Sequence, residues 1–574
     1  MLARLASLAS LAAALHLAFA SPLPLTRRTD PSEPPPVVDL GYAQYQGVLN
    51  ATYGMYEWRG IRYATAERFQ APRTPSKNSS ASSPILADKF GDVCYISQVG
   101  ANTTKQGVLT DEATVPSATT SEDCLFLNVV APAGSCEGAG LPVVVYIHGG
   151  GYGFGSAQIQ FEEFLQHIGN KVVLVSIQYR LGPFGFLAGS EVVKNGATNQ
   201  GLLDQQHALR WVQDHIYKFG GDSDHVTIWG ESAGAGSVLN QVIANGGNTV
   251  KALGLKKPLF KAAFGASVFL PLQVEATSSW AQSRYDDLVA ATNCTSSGNS
   301  TFSCLESVDA DTLAAAGDRL SQATPFGFWL YVPVVDGTFL TKRASVLLEQ
   351  GQENLNGDIF YGNNNADEGF IFTDPTLQND TTTSPGSLKA QFDSTLAGLF
   401  PLLTAEERQS VAQQYPASGA PSSKGNTFTR ISTIIADSTF VCPTYWSVES
   451  FGSSAYKSRF AYGPATHAFD LGYYLDELWT GTKSVSSVQS FTGAIGGFVR
   501  DYNPNDNPAN ATINPSWPSF DSGEEMLFNL TEPMNLLSAA DPRIIETSSL
   551  KAFGSEQTSR CDFWRGSISK NAGL

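Results

Sequence analysis

The stretch that decides the fold is His225-Val-Thr-Ile-Trp-Gly-Glu-Ser-Ala-Gly234, where an apolar strand pattern leads directly into a Gly-x-Ser-x-Gly motif. In a nucleophile elbow of this kind, a strained strand-to-helix turn exposes the serine, and the glycines allow the backbone to approach closely. Chance alone could produce this motif in a chain so rich in glycine and serine. Its context argues otherwise, because the motif occurs once and a helix-compatible run, residues 235–244, follows it. The sequence therefore predicts Ser232 as a nucleophile.

Two further segments predict strands of the same sheet. Residues 141–147 and 171–178 are nearly continuous runs of β-branched apolar side chains. Such runs are typical of central parallel strands that are covered on both faces. A helical pattern over residues 202–219 completes an α/β order, which predicts a central mostly parallel sheet covered by helices on both faces. Helical patterns also occur at residues 281–290, 389–400 and 404–414. Strand signals beyond residue 450 are weak.

The serine needs a histidine partner, because its hydroxyl is a poor nucleophile until an imidazole removes the proton. In hydrolases with this elbow, the order along the chain is serine, then acid, then histidine. The chain has seven histidines, and His467 alone follows Ser232. His467 is therefore selected by elimination as the general base. The alternative is that it is a solvated or structural histidine.

The acid that orients the imidazole must lie between Ser232 and His467. Asp367 and Glu368 stand out because they closely follow a short apolar strand pattern at residues 359–361. Adjacent side chains point in different directions, so one of the two is expected to serve. The residues by themselves leave that choice open, and both could be ordinary loop carboxylates.

Acyl transfer also needs hydrogen-bond donors for the developing oxyanion. His148-Gly-Gly-Gly151 follows the strand pattern that ends at Ile147, and its side-chain-free backbone can direct N–H groups at a substrate. Together with the N–H of Ala233, this loop predicts an oxyanion hole. A phosphate-binding loop is the rival interpretation of clustered glycines, but the chain has no Gly-x4-Gly-Lys-Ser/Thr motif. His148 itself is expected to hold the loop.

The motifs together resemble those of the type-B carboxylesterase/lipase family, relatives of the cholinesterases, and most of all its secreted fungal members. The segments that carry the resemblance are residues 122–128, 148–151, 179–182, 185–186, 199–201, 204–205, 208–212, 219–222, 333–337 and 367–369. They span most of the chain that follows the N-terminal segment. The resemblance implies an α/β-hydrolase fold and a serine hydrolase that acts on carboxylic esters.

The resemblance also implies roles for particular residues. Glu368, rather than Asp367, would be the acid, and Gly150, Gly151 and Ala233 would donate to the oxyanion. The usual His-Gly of the family is His467-Ala468 here, which puts the local turn in question. The implied disulfides are Cys94–Cys124, Cys294–Cys304 and Cys442–Cys561, leaving out Cys136.

Composition limits the classes of partner. The 574 residues are 42% hydrophobic and 16% charged, which is typical of a globular chain. A formal net charge of −17 argues against nucleic acid or an anionic membrane as a partner. Cysteine and histidine never cluster in a metal-binding pattern. We therefore expect no metal, no cofactor and no stable membrane anchor, with a small-molecule ester as the partner. The sequence does not indicate an oligomeric state.

The N-terminus has the parts of a secretory signal peptide, with an apolar run over residues 5–19 and the small-residue site Ala18-Phe-Ala20. We expect a signal peptide at residues 1–20, a short propeptide at 21–28 ending at Arg27-Arg28, and one α/β-hydrolase domain at 29–574. A secreted, extracellular protein follows. Its glycosylation candidates are the sequons at Asn50, Asn78, Asn102, Asn293, Asn299, Asn379, Asn510 and Asn529.

The predicted activity is hydrolysis of short to medium acyl esters, including acetyl esters. In the family, the loop closed by the first disulfide is the lid of the lipases. Here residues 95–123 are rich in threonine, serine, alanine and acidic residues, so they offer little apolar area to a lipid surface. The alternatives are an interfacial lipase or sterol esterase and, from another class, an inactive binding or adhesion homologue. Trp329 belongs either to an acyl pocket or to the core, and the core is the simpler interpretation.

Overall fold

The structure is a computed structural model. It describes residues 34–77, 83–102, 119–295, 300–355, 359–379, 384–417, 426–475, 485–506, 513, 515–530, 546–566 and 568–574. The segments predicted as signal peptide and propeptide lie outside the described residues. So do the sequons at Asn78, Asn299 and Asn510, and most of the loop that follows Cys94.

The strands of the described chain range from two to eleven residues in length. In chain order they are β1 Val37–Asp39, β2 Gln44–Gln46, β3 Val48–Asn50, β4 Met55–Arg62, β5 Ile85–Leu86, β6 Val93–Cys94, β7 Thr120–Ser121, β8 Phe126–Pro132, β9 Leu141–Ile147, β10 Val173–Ile177, β11 Gly221–Glu231, β12 Ala262–Ala266, β13 Ile359–Asn365, β14 Ala455–Ala461, β15 Glu524–Leu530 and β16 Glu546–Ala552.

Eleven strands form one sheet in the order β16-β15-β14-β13-β12-β11-β9-β10-β8-β4-β3. Every pair between β15 and β10 in that order is parallel. The pairs at both ends are antiparallel. In this order β10 lies on one side of β9 and β11 lies on the other. The successive connections from β9 to β10 and from β10 to β11 therefore run in opposite directions across the sheet, which makes β9 a topological switch point. Ligands bind at such switch points, beyond the carboxyl ends of the strands.

The helices are mostly short. In chain order they are α1 Glu162–His167, α2 Gly182–Phe186, α3 Ser190–Asn195, α4 Gln200–His215, α5 Ala233–Val242, α6 Ala244–Gly247, α7 Thr249–Ala252, α8 Ser279–Ala291, α9 Thr301–Ser307, α10 Ala310–Gln322, α11 Ala344–Glu349, α12 Pro385–Leu399, α13 Ala405–Gln414, α14 Asn426–Ile435, α15 Cys442–Phe451, α16 Val485–Asp501, α17 Ser555–Arg565 and α18 Ser569–Ala572. None of the helices within the described ranges is long and apolar enough to cross a membrane.

Both faces of the sheet are buried against helices. In β9, Val143 and Val145 belong to one buried apolar cluster, whereas Val144 and Tyr146 belong to another. Successive side chains of a strand point to opposite faces, so the two clusters lie on opposite sides of the sheet. Helices α4, α5 and α15 contribute to the first cluster, and α1 and α16 to the second. The predicted fold class, a mostly parallel sheet covered on both faces, is confirmed.

The prediction was weakest after residue 450, where the structure has three strands of the main sheet. β14 has the sequence Ala-Tyr-Lys-Ser-Arg-Phe-Ala, which hides the apolar pattern of a buried strand. Lys457 is fully buried in it, and its Nζ lies 3.3 Å from the buried Glu525 carboxylate of β15. Because the ion pair is made across two strands, a local sequence pattern does not reveal it.

Three disulfides are present in the described chain, and they are the pairs that the resemblance implied. They are Cys94–Cys124, Cys294–Cys304 and Cys442–Cys561, with Cα–Cα distances of 5.0, 5.6 and 5.0 Å. Cys136 is in none of these three bonds.

The sequons within the described chain differ in accessibility. Asn102 and Asn293 are exposed. The Asn50 side chain is half-buried, and its amide donates to Glu57 at 2.7 Å. Asn529 lies within β15, between two neighbouring strands, and Asn379 ends a short 3-10 segment. Accessibility therefore favours Asn102 and Asn293 among these candidates.

Candidate active site

The turn at Ser232 has the backbone geometry of a nucleophile elbow. β11 ends at Glu231, α5 begins at Ala233, and Ser232 between them has φ 57° and ψ −124°. A non-glycine residue rarely adopts such a conformation, which costs about 1–3 kcal/mol and persists where the surrounding structure enforces it. The N–H of Ser232 donates to the Ala266 carbonyl at 2.9 Å, and its carbonyl accepts from the Gly236 N–H at 2.8 Å. These bonds fix the turn to β12 and to α5.

Contact distances explain the two glycines of the motif. A Cβ on Gly230 would lie 2.3 Å from the carbonyl carbon of Gly234. A Cβ on Gly234 would lie 2.0 Å from the carbonyl oxygen of Ile147. Both distances are far below a van der Waals contact, so any larger residue would push α5 away from β9 and β11. The glycines let the helix begin close enough to the sheet to present the serine.

Ser232, His467 and Glu368 form one hydrogen-bonded chain. Ser232 Oγ lies 2.8 Å from His467 Nε2, and His467 Nδ1 lies 2.6 Å from Glu368 Oε2. With the imidazole hydrogen assigned to Nδ1, the ring donates to the carboxylate and Nε2 accepts from the serine hydroxyl. All three residues are buried, with exposures of 7%, 6% and 1%. The structure thus brings together the three residues that the sequence singled out.

The sheet topology explains why residues so distant in sequence meet. Ser232 directly follows β11, Glu368 follows β13 by three residues, and His467 follows β14 by six. These strands run parallel, so their carboxyl ends lie along one edge of the sheet. The loop that begins at His148 follows β9 and reaches the same edge. This edge is where α/β proteins bind their ligands.

A buried polar network holds Glu368 from behind. The Ser267 hydroxyl donates to Glu368 Oε1 at 2.6 Å, and the Asn365 N–H donates to the same oxygen at 2.8 Å. The side-chain amide of Asn364 reaches it at 3.2 Å. With Oε1 engaged by these three donors, Oε2 is directed at His467. Sequence reasoning missed all three donors, because single polar residues in strands and turns carry no motif.

Asp367 has a different position, although it is adjacent to Glu368. Its side chain is exposed, and its N–H donates to the Ala465 carbonyl at 2.9 Å. Partial burial, and secondly the charge of Glu368, raise the pKa of the Asp367 carboxyl. Asp367 therefore links the two loops of the site through its backbone. The geometry favours Glu368 as the partner of His467.

A second carboxylate, Glu231, lies on the other side of the imidazole. Its Oε1 is 3.3 Å from His467 Nε2, and the side chain is buried within the motif itself. A negative charge at this distance stabilises an imidazolium. Sequence reasoning did not assign it a role. Its position directly before Ser232 could have indicated a role, because that position places Glu231 at the carboxyl end of β11.

The predicted oxyanion donors also converge on Ser232. Gly150 and Gly151 have φ values of 99° and 60°, a region that L side chains rarely adopt. Across the described chain, the N–H groups of Gly150, Gly151 and Ala233 donate to no protein acceptor. A Cβ on the neighbouring Gly149 would lie 3.1 Å from Cβ of Ser232, so the loop packs directly against the elbow. These N–H groups are available for a substrate oxygen.

His148 holds this loop, as its sequence position suggested. Its ring stacks on Tyr179 with a centroid distance of 4.3 Å, and its Nδ1 lies 2.9 Å from the Gly149 carbonyl. Burial lowers the pKa of His148 to about 4. The imidazole is therefore neutral at ordinary pH, and Nδ1 donates to the carbonyl.

Aromatic side chains form one wall of the site. The rings of Phe372 and Phe440 lie 4.9 and 4.3 Å from the His467 ring, between centroids. The Trp329 ring covers Gly151, because a Cβ on that glycine would lie 1.8 Å from it. These rings also line a small cavity of about 60 Å³ that is open to solvent. Its apolar lining includes Leu270, Phe328, Trp329, Phe372, Phe440 and Leu574. Trp329, for which the sequence favoured the core, thus also lines a cavity.

No cluster of three or more metal-binding side chains occurs among the residues that the structure describes.

Comparison with known proteins identifies the family of this chain. The model of the carboxylesterase family matches residues 34–564. Secreted lipase 1 of Botryotinia fuckeliana (strain B05.10) is 31% identical over 443 residues, covering 71% of this chain and 72% of that protein. Lipase 5 of Diutina rugosa is 32% identical over 436 residues, covering 72% and 75%.

The fold of Aspergillus niger EstA is also similar. That crystal structure has a TM-score of 0.75 and 26% identity, covering 94% of this chain and 99% of the other. The family match extends over most of the chain and includes every strand of the main sheet. The expectation from the sequence motifs is therefore confirmed. This chain belongs to the carboxylesterase family and is a carboxylic-ester hydrolase.

Proposed function

We propose that this chain hydrolyses short to medium acyl esters, including acetyl esters, through an acyl-enzyme on Ser232. His467 Nε2 takes the hydroxyl proton as Ser232 Oγ attacks the ester carbonyl carbon. Glu368 orients the imidazole and stabilises its protonated form, and Glu231 adds a second negative charge nearby. The imidazolium then returns the proton to the departing alcohol. Water attacks the acyl-enzyme by the same route and releases the acid.

The oxyanion of each tetrahedral intermediate would accept hydrogen bonds from the N–H groups of Gly150, Gly151 and Ala233. Donors that are fixed before the reaction stabilise the developing charge without reorganisation, and one such donor is worth about 3–4 kcal/mol. The observation that carries the proposal is the 2.8 Å contact between Ser232 Oγ and His467 Nε2, facing these unengaged donors.

The apolar cavity behind Trp329 supports an apolar acyl group as the substrate's acid part. Trp329, Phe372 and Phe440 lie between this cavity and the residues that would perform the chemistry. Trp329 packs directly on Gly151, so a bulky acyl group would meet its ring first. This crowding favours short to medium chains. The polar composition of residues 95–123 supports the same preference, because a lipid surface needs a broad apolar face.

An interfacial lipase is the second candidate, and the names of the relatives favour it. Both relatives from Botryotinia fuckeliana and Diutina rugosa are called lipases. The test is a panel of p-nitrophenyl esters from acetyl to palmitoyl, measured below and above the solubility limit, with Ser232→Ala as control. We expect hyperbolic kinetics and the highest kcat/KM for short to medium chains. A sharp rise on forming an emulsion, with better turnover of long-chain triglycerides, would establish the lipase instead.

We also propose that the protein is secreted and that residues 1–20 are removed as a signal peptide. The relative from Botryotinia fuckeliana is called secreted, and three disulfides suit an oxidising compartment. The test is N-terminal sequencing of protein recovered from culture medium. An intact N-terminus on cell-associated protein would contradict the proposal.

A further inference from the structure

The turn that carries His467 is strained on both sides. Ala465 and Ala468 have φ values of 46° and 65°, in the left-handed region. In that region the Cβ atom of an L residue crowds its own backbone carbonyl, whereas glycine has no such contact. Ala468 therefore adds strain at the residue that directly follows the proposed general base. Something else in the structure must hold the turn.

Asp470 lies two residues after Ala468, in the 3-10 turn Phe469–Tyr473. Its side chain is fully buried, and its carboxylate accepts three hydrogen bonds. The amide of Asn365 donates to Oδ1 at 2.9 Å, the amide of Asn363 donates to Oδ2 at 3.2 Å, and the Tyr474 hydroxyl donates to Oδ2 at 3.2 Å. Two of these donors come from β13, the strand that leads to Glu368.

These contacts connect the two partners of the acid–base pair. On one side, the Asn365 N–H donates to Glu368 Oε1 at 2.8 Å, so Asn365 holds both Glu368 and Asp470. On the other side, Asp470 is three residues after His467, across the strained Ala468. The carboxylate of Asp470 therefore joins the strand end that positions the acid to the turn that positions the base.

Resting on the triad proposed above, we propose that Asp470 is a positioning residue for the His467–Glu368 pair. Its hydrogen bonds to Asn363 and Asn365 hold the left-handed turn at Ala468, and with it the distance between imidazole and carboxylate. Asp470 touches neither the serine nor the cavity and acts through Asn365 and the backbone.

The ionised form of Asp470 performs this role, because a carboxylate accepts from all three donors whereas a protonated carboxyl group must itself donate. Burial raises the pKa of Asp470 to about 6, and the charge of Glu368 adds to this effect. The hydrogen bonds from Asn365 and Tyr474, and the charge of His467, act in the opposite direction. The neighbouring titratable groups that interact electrostatically with Asp470 or with Tyr474 are Glu231, Tyr146 and Tyr361. Asp470 is therefore ionised above about pH 6.

The test compares Asp470→Asn with the double variant Asp470→Asn/Ala468→Gly, at pH 8 and well below the melting temperature. Active sites are counted by organophosphate labelling, so kcat refers to folded, labelled enzyme. We expect Asp470→Asn to lower kcat about 10- to 100-fold with KM within twofold, because the residue acts on the chemical step. Adding Ala468→Gly should recover at least threefold, because glycine removes the strain that Asp470 opposes. Ala468→Gly alone should stay within twofold of the parent.

Glu525→Gln is the matched control for a purely structural role. Glu525 is also a buried carboxylate, and it binds Lys457, Arg459 and Tyr445 at 3.0–3.3 Å. We expect this change to lower the melting temperature while kcat per labelled site stays within twofold. If Asp470→Asn behaves in the same way, or if Ala468→Gly recovers nothing, the proposal is wrong.

If Asp470→Asn does not fold, Tyr474→Phe provides a second test of the proposal. It removes one donor that favours the ionised carboxylate, so the pKa of Asp470 rises further. We expect a loss of kcat of about two- to fivefold at pH 6 that disappears at pH 8. A ratio of variant kcat to parent kcat that is the same at pH 6 and at pH 8 would overturn the proposal. A parent enzyme that neither labels at a serine nor hydrolyses esters would instead overturn the proposed function.

Discussion

The two halves of the central sheet fix the active site by different means. Strands β9 and β10 are lined with β-branched apolar residues, and the elbow beside them is set by backbone contacts of Gly230 and Gly234. Strands β13 and β14 instead bury polar side chains, among them Asn363, Asn365 and Lys457. The proposed nucleophile is thus held by close backbone packing and backbone hydrogen bonds, whereas the proposed acid and base are held by hydrogen bonds that involve their side chains.

This difference predicts how the two halves respond to substitution. On the nucleophile side, adding a methyl group should be damaging and removing a hydrogen bond should matter less. On the acid–base side, replacing a single hydrogen-bonding atom should be damaging even where the side chain keeps its size, because buried polar groups without partners are costly.

The largest effect is expected for Ser232→Ala and His467→Ala, which remove the proposed nucleophile and the proposed base. Each should lower kcat on a soluble acetyl ester by about 10⁵- to 10⁶-fold, and the double variant should be little worse, because triad residues act as a unit. Steady-state kinetics with circular dichroism as the folding control make the measurement. Additive losses in the double variant would contradict a shared mechanism.

Glu368→Gln should come next, with a loss of about 10³- to 10⁴-fold in kcat, because an amide cannot stabilise the imidazolium. Asp367→Asn is the matched control on the adjacent residue, whose side chain is exposed. It should stay within threefold of the parent. If Asp367→Asn were the more damaging change, the acid would have been assigned to the wrong residue.

Gly234→Ala tests the steric half of the comparison. Its new Cβ would lie 2.0 Å from the Ile147 carbonyl oxygen, so the elbow must shift. We expect kcat to fall about 10²-fold and the melting temperature to drop. Gly386→Ala is the matched control, because its Cβ would meet no atom within 4 Å. In helix α12, that change should be neutral or slightly stabilising. Equal effects of the two changes would contradict the account.

His148 predicts the pH dependence of stability on the nucleophile side. Its pKa is about 4 when folded, against an ordinary value of 6.5. Between these values the unfolded chain binds a proton that the folded chain does not, so the free energy of unfolding decreases as pH falls from 6.5 to 4. The titration of this histidine lowers the free energy of unfolding by up to about 3 kcal/mol over that range. Denaturant unfolding of His148→Phe should show a smaller decrease over that range. An unchanged pH dependence would contradict the assignment.

Glu231→Gln should have the smallest effect, about tenfold on kcat, because Glu368 still supports the imidazolium. The 3.3 Å distance between Glu231 and His467 Nε2 predicts a loss in kcat rather than in KM. Kinetics across a range of salt concentrations measure it. A change confined to KM would mean that Glu231 contacts substrate instead.

The same comparison explains what the sequence could predict. The elbow and the strands before it were readable because they depend on local patterns, namely apolar runs and fixed glycine positions. His467 was found by elimination, and Glu368 was chosen over Asp367 by resemblance alone. Neither inference used the residues that hold them in place.

The rest could not be predicted because it depends on contacts between distant segments. Ser267 and Asn365 are 98 residues apart in sequence, and their side chains meet at 3.3 Å behind Glu368. Lys457 disguises a buried strand as a polar one because its partner Glu525 lies on another strand. The proposed role of Asp470 beside the strained Ala468 likewise depends on its hydrogen bonds with β13, which lies about 100 residues earlier in the chain. These are tertiary properties without a local signature.

The proposed function depends on an acyl-enzyme at Ser232. The most direct measurement is rapid acid quench of the enzyme with p-nitrophenyl acetate, followed by mass spectrometry of its peptides, with Ser232→Ala run in parallel. We expect that the peptide containing Ser232 gains the mass of one acetyl group in the parent and not in the variant. An acetyl group on another residue, or turnover without any acylated peptide at Ser232, would contradict it.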